Sequence, residues 1–331
     1  MKVLVAIFLL IGSLAVYAKD YTKDAETVEF MQMMHDEHEF KLSYLNKLFS
    51  SVKKQEVPLA IITGTAIKNP TPSVKNEYPL HGAWDRYVHY KVTPKRIRQG
   101  RSFIKKYRTT FKNVEKKYGV PAEYIAAIIG IESVYGINVG KHPVFDTLTT
   151  LAFEPNRRNG FFKRELKKFI LLSYRQKFNP KNVMGSYTGA IGLGQFMPSN
   201  YEAYGIDYNK DGKISLQHPQ DAIASIANYL KQNGWRGGEE VATRVAYEGN
   251  RFTTYKTGYD RTYHRSDLIG IKPKYEKWNY NNKVRLIKLD RANYDELWYA
   301  AKNFYVITRY NHSAYYAMSV HQLAKKIKKG S

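Results

Sequence analysis

The chain has 331 residues, a formal net charge of +24 and no cysteine. That length can bury a full core in one or two domains, and the missing thiols exclude disulfides and a lipid-modified cysteine. The excess of positive charge points to a polyanionic partner, which the opening residues help to narrow.

Met1-Lys2, an apolar run from Val3 to Val16 and the small-residue spacing of Val16-Tyr-Ala18 predict a secretory signal over residues 1–18, cut after Ala18. An uncleaved anchor would need about 20 apolar residues, and this run is shorter. No later stretch can span a membrane. The expected protein is therefore periplasmic, exported and not a lipoprotein. Export argues against nucleic acid and favours an anionic cell-wall polymer or membrane surface. The 28 tyrosines offer faces that stack on sugars as readily as on bases.

Residues 19–120 read as an N-terminal helical region. Phe30, Met33, Met34 and His38, then Leu42, Leu45 and Leu48, recur at helical spacing. Residues 64–80, with Gly64, Pro70, Pro72 and Pro79, predict an extended connection. Thr93 as N-cap and Pro94 in the first turn start a helix. Phe103, Tyr107, Phe111, Val114 and Tyr118 carry its apolar stripe until Gly119 stops it.

A core is expected over 121–236. Its first helix runs from Pro121 to Gly136 and holds Glu132 just after Ile128-Ile-Gly-Ile131. A carboxyl group in apolar surroundings resists ionisation and can donate a proton near neutrality. A carboxylate at a helix end facing water would give the same letters. Further helices are predicted over 161–176 and 219–233. Between them lies Gly185-Ser-Tyr-Thr-Gly-Ala-Ile-Gly-Leu-Gly-Gln-Phe-Met-Pro-Ser199, whose glycines let backbone come close to another group. Ser186 and Gln195 supply polar groups there; a tight loop whose glycines serve only packing is the competing reading.

Asp207-Tyr-Asn-Lys-Asp-Gly-Lys-Ile-Ser-Leu-Gln-His218 matches a calcium loop through Asp207, Asn209, Asp211, Gly212 and the carbonyl of Lys213. Its twelfth position should be an acidic oxygen ligand and is His218, so the expectation is either a weak structural calcium ion or a loop that kept its turn and lost its metal. Residues 237–308 read as a small β-rich subdomain, with strands expected at Val284–Leu289 and Asn303–Thr308. A final helix, Ser313 to Lys328, belongs to a C-terminal segment, 309–331, that returns to the core.

Ile131-Glu-Ser-Val-Tyr-Gly136, the 185–199 loop and Thr308-Arg-Tyr-Asn-His-Ser-Ala-Tyr-Tyr-Ala-Met-Ser319 together resemble the lytic murein transglycosylase B family, in order and in spacing. The similarity runs from about Trp84 to about Leu323. It implies an α+β, mainly α fold, with a lysozyme-like catalytic core, an extra helical part and a small β-rich subdomain. It also implies cleavage of the β-1,4 bond between N-acetylmuramic acid and N-acetylglucosamine in peptidoglycan, leaving a 1,6-anhydromuramoyl end.

The resemblance makes Glu132 the sole catalytic acid/base, with Ser186 and Gln195 nearest it. Tyr87, Tyr229, Tyr310, Asn311 and Tyr316 would form the cleft, and Arg157 and Arg158 would meet the peptide or acidic lactyl part of the substrate. Without the resemblance the tyrosines could be core residues and the arginines a solvated face. Two-carboxylate glycosidases need a second acid; Asp146 and Glu154 are the candidates, and neither stands in a recognisable frame. One glutamate suffices if the sugar supplies its own nucleophile. The chemistry needs no cofactor, and the expected partners are peptidoglycan strands and proteins of cell-wall synthesis or division. Rival readings are a non-catalytic peptidoglycan-binding scaffold, a hydrolytic muramidase and, more distantly, a nucleic-acid binder with steep salt dependence.

Overall fold

A computed structural model describes residues 18–65, 81–275 and 278–329. The predicted signal up to residue 17 and residues 66–80 of the predicted extended connection lie outside the described residues. Among the described residues helices dominate, joined by one four-stranded sheet and two short strand pairs.

Helix α7 (Ala122–Ser133) is the axis of the molecule, and Tyr124 to Ile131 are all buried. Helices α5 (Pro94–Lys106), α6 (Arg108–Tyr118), α11 (Pro219–Gln232) and α13 (Ala314–Lys328) pack around it. A helix enclosed on every side needs no polar stripe, which is why its sequence reads as an unbroken apolar run. Gly130 lets the Tyr135 ring lie against α7, because a Cβ there would sit 2.5 Å from the phenol oxygen.

The N-terminal region forms α1 (Ala25–His38), α2 (Leu42–Phe49) and α3 (Glu56–Thr63). Strand β1 (Ala18–Lys19) pairs with β2 (Val52–Lys53), holding this region against α8 (Val144–Phe153). Helix α4 (Ala83–Lys91) follows. The single helix predicted from Pro94 to Tyr118 is broken at Tyr107, which has φ −108° and ψ 31° and closes α5 while opening α6. The bend lets α5 face α7 and α13 while α6 turns its stripe toward α11, so two partners share what one straight helix could offer to only one.

Helix α9 (Asn159–Arg175) and the short α10 (Pro198–Tyr204) complete the helical layer. Strand β3 (His142–Pro143) pairs with β4 (Met184–Gly185), which ties the segment after α7 to the start of the glycine-rich loop.

The sheet has the order β6-β5-β8-β7, all antiparallel, from β5 (Ala242–Ala246), β6 (Lys272–Pro273), β7 (Arg285–Asp290) and β8 (Asp295–Ala300). On β7, Leu286 joins a local cluster with Trp278, Leu297 and Tyr299, whereas Ile287 and Leu289 join the main core. Apolar groups on both faces explain the dense Leu-Ile-Lys-Leu pattern. Asn303–Thr308 is not the expected strand. It lies in helix α12 (Lys302–Tyr310), where Phe304, Ile307 and Thr308 are buried at helical spacing. Asn303 accepts the Arg236 amide and donates to the carbonyls of Arg236 and Glu239, anchoring that helix. Tertiary burial thus overrides the β preference of Tyr-Val-Ile.

Candidate active site

Glu132 stands on the last turn of α7, directly before the helix ends. Val134 and Tyr135 end it in left-handed backbone, at φ 52° and 59°. A β-branched residue there is costly and persists only when its surroundings enforce it. Ser133 helps by accepting the Gly136 amide, and the Ser133 carbonyl accepts from Asn138. Gln195, in the glycine-rich loop, also has a positive φ, at 51°. Three of the six such non-glycine residues among the described ones therefore flank this site.

Tyr316 on α13 donates a hydrogen bond of 2.6 Å to Glu132 Oε1. Burial raises the Glu132 carboxyl to about 7; the Tyr316 bond and the positive charge of Lys91 pull the other way and are outweighed. Tyr316 and Tyr310 are themselves pushed well above the ordinary phenol range, first by burial and then by the charge of Glu132. Both phenols thus keep their protons and remain donors near neutrality.

The tyrosines form one assembly. Tyr310 stacks on Tyr316 with 9° between the rings, and the Tyr229 ring lies 4.9 Å from Tyr310. Tyr229 donates to the Arg309 carbonyl, and Tyr310 donates to that of Gly194, joining α11, α12 and the loop. A Cβ at position 194 would come within 2.8 Å of the Tyr310 oxygen, so the loop needs glycine there. Tyr87 on α4 packs on Trp84 and Tyr315 within electrostatic reach of Glu132.

The remaining predicted residues divide. Gln195 donates to the Val139 and Gly192 carbonyls, tying the loop to the segment that follows Glu132. Ser186 accepts from the amides of Thr188 and Ala190, so its hydroxyl holds the turn of the loop. Asn311 is exposed where α12 meets α13. Arg157 and Arg158 are exposed just before α9, with Arg158 over the Phe161 ring.

Neither candidate second carboxylate is free. Glu154 receives Lys19, Lys54 and the Tyr21 hydroxyl, and these partners hold it below the usual glutamate range against the opposing effect of burial. Asp146 pairs with Lys181 and accepts the Lys53 amide. Both fasten the N-terminal strands to α8. Replacing Glu154 by Gln is expected to cost about 2 kcal/mol of stability, by leaving two lysines unpaired, and to change kcat by less than about threefold. Thermal melting alongside turnover checks this.

In the 207–218 loop, Asp207 accepts from Gly212 and Asp211 accepts from Lys213. The acid that closes the loop is Asp221, not His218. It stands in the first turn of α11 and takes the amides of Tyr208, Asn209 and Ser215. His218 instead serves as the backbone N-cap of α11. Asp207 Oδ1 is buried with no partner, which suits a cation. Among the described residues no three His, Asp or Glu side chains converge as a metal cluster, so an ion would depend on carbonyl and amide oxygens as well.

Residues 22–325 match the transglycosylase SLT domain family. The chain belongs to that family. It is 36% identical over 310 residues to the membrane-bound lytic murein transglycosylase B of Escherichia coli K12, covering 93% of this chain and 84% of that one. Two solved structures of an Escherichia coli lytic transglycosylase, one in complex with bulgecin A and one with calcium, match with a TM-score of 0.85 at 34% identity. The match covers 95% of this chain and 96% of theirs. The soluble lytic transglycosylase of Pseudomonas aeruginosa matches with a TM-score of 0.78 at 35% identity, covering 92% and 99%. The mainly α, lysozyme-like architecture is thus that of the lytic transglycosylases, and the chain is an enzyme of that type.

Proposed function

We infer that this protein is a peptidoglycan lytic transglycosylase in which Glu132 alone serves as acid and then as base. The observation that carries the reading is a carboxyl poised at about 7 and held by Tyr316, while Glu154 and Asp146 are spent on lysines.

Protonated Glu132 gives its proton to the glycosidic oxygen as the bond to C1 of the muramoyl unit breaks. The N-acetyl oxygen of that unit closes onto C1 as an oxazolinium. Glu132, now a carboxylate, takes the proton from the C6 hydroxyl, whose oxygen displaces the N-acetyl oxygen from C1. The 1,6-anhydro ring forms, and water is neither consumed nor released. A walled cleft that holds C6 near C1 supplies the proximity. The tyrosine assembly offers flat faces to the sugars.

Digestion of purified sacculi followed by mass spectrometry tests the reading. Anhydromuramoyl ends support it; reducing muramoyl ends would mean a hydrolytic muramidase, and binding without cleavage would mean a scaffold. The compartment that fits is the periplasm, reached through the 1–18 leader pattern, and among the described residues no helix is long and apolar enough to cross a membrane. Arg157 and Arg158 fit a role with the peptide or lactyl group as charged residues at the rim.

A relative solved with calcium and the Asp207, Asn209, Asp211, Lys213 and Asp221 oxygens support weak structural calcium binding. At an affinity of about 0.1 mM, roughly 1 mM calcium should raise Tm by about 3 °C, and Asp221→Asn should abolish that shift. Melting curves with calcium and with a chelator measure it.

A further inference from the structure

Lys91 is the last residue of α4, one helical turn beyond Tyr87, and its side chain is half-buried. Its ammonium and the Glu132 carboxyl are close enough for each charge to act on the other. Among the described residues the ammonium has no hydrogen bond and no ion pair. Beside it, Arg96 is fixed by two hydrogen bonds from Nη1, to the Tyr90 carbonyl at 2.6 Å and the Lys91 carbonyl at 2.7 Å. Arg96 meets no carboxylate among the described residues either, and its Nε is buried without a partner.

Among the described residues, two adjacent cations near Glu132 thus have no carboxylate partner in hydrogen-bond contact. Arg96 has a structural task, satisfying carbonyls at the end of α4. Lys91 has none. In its proton-donating form Glu132 carries no charge and so does not neutralise Lys91. Partial burial of an unpaired ammonium is unfavourable, and a substrate anion would relieve that cost on binding.

We propose that Lys91, steadied by Arg96, is a substrate-binding residue that takes a carboxylate of the muramoyl unit beside the scissile bond. This rests on the peptidoglycan reading above. Two sources carry that chemistry: the free lactyl carboxylate of peptide-free strands, and the carboxylates of an attached stem peptide.

The test uses the full-length enzyme with Lys91→Met and Lys91→Arg on three substrates: peptide-free glycan strands, the same strands with carboxylates converted to methylamides, and stem-bearing strands. Lys91→Met should raise KM on the carboxylate-bearing strands about tenfold, equivalent to about 1.4 kcal/mol, and do so more than it lowers kcat. On methylamide strands its KM should match that of the wild type, which also shows that the variant folds, while kcat there reports only the loss of the Lys91 charge beside Glu132. Lys91→Arg should recover most of the affinity. A KM effect confined to peptide-free strands assigns the lactyl carboxylate, and one confined to stem-bearing strands assigns the peptide. An equal loss on charged and neutralised strands, or no loss on any, would overturn the proposal. If instead the wild type yields no anhydromuramoyl ends on any strand, the underlying functional reading fails.

Discussion

Glu132→Gln should lower kcat by at least about a thousandfold while substrate binding survives, since a single general acid/base accounts for that much or more of the barrier. The amide keeps the shape of the side chain and can still accept from Tyr316, but it cannot move a proton. Neither Glu154 nor Asp146 stands ready to replace it, because both are bound to lysines. The wild-type reaction starts from the protonated acid, so its rate should fall as pH rises through about 7. Stability follows the same sign. The folded carboxyl sits at about 7 against 4.5 for an ordinary glutamate, so the fold favours the protonated form. That contribution is complete below about 4.5 and is lost as pH climbs through about 7. The glutamine variant, permanently uncharged, should therefore melt higher than the wild type at pH about 8, by an amount on the order of 2 kcal/mol, and equally at pH about 4. Calorimetry at the two pH values, with a binding assay on sacculi, reads out both effects.

Tyr316→Phe should reduce kcat by about ten- to a hundredfold and shift the alkaline limb of the pH profile upward. The phenol donates to Glu132, and a donor to a carboxylate favours its ionised form. Removing that bond leaves burial less opposed, so the acid holds its proton to higher pH. The rate falls all the same, because the carboxyl loses the contact that aims it and the departing proton leaves a less stabilised carboxylate. Tyr310 still stacks from α12, so the wall of the cleft remains. An alkaline limb that stays fixed or moves down would show that the hydrogen bond does not govern Glu132.

Glu132 is legible only through the three motifs in register, because a lone acid after Ile-Ile-Gly-Ile reads equally as a helix-end carboxylate facing water. The enclosing helices are legible from their stripes, down to the Thr93 cap, which does accept the Arg96 amide. What escapes sequence reasoning depends on long-range contacts. The resemblance puts Tyr316 in the cleft, but nothing local shows that it reaches Glu132 across 184 residues or marks it as different from the Tyr315 beside it. Asn303–Thr308 carries strand-forming letters, and only its burial against the core makes it a helix. Asp221 escapes because a twelve-residue loop ends at His218, whereas the chain reaches its closing acid three residues later, inside the first turn of α11. Lys91 gives no signal in a chain with 53 lysines and arginines; it stands out only once its neighbours are known to lack a counter-charge.

The source of the attacking oxygen decides most directly whether the sugar completes its own displacement. Digesting sacculi in water labelled with heavy oxygen and weighing the muramoyl ends should give anhydro products free of label. Reducing ends that carry the heavy isotope would contradict the account, because water would then have done the work assigned to the C6 hydroxyl.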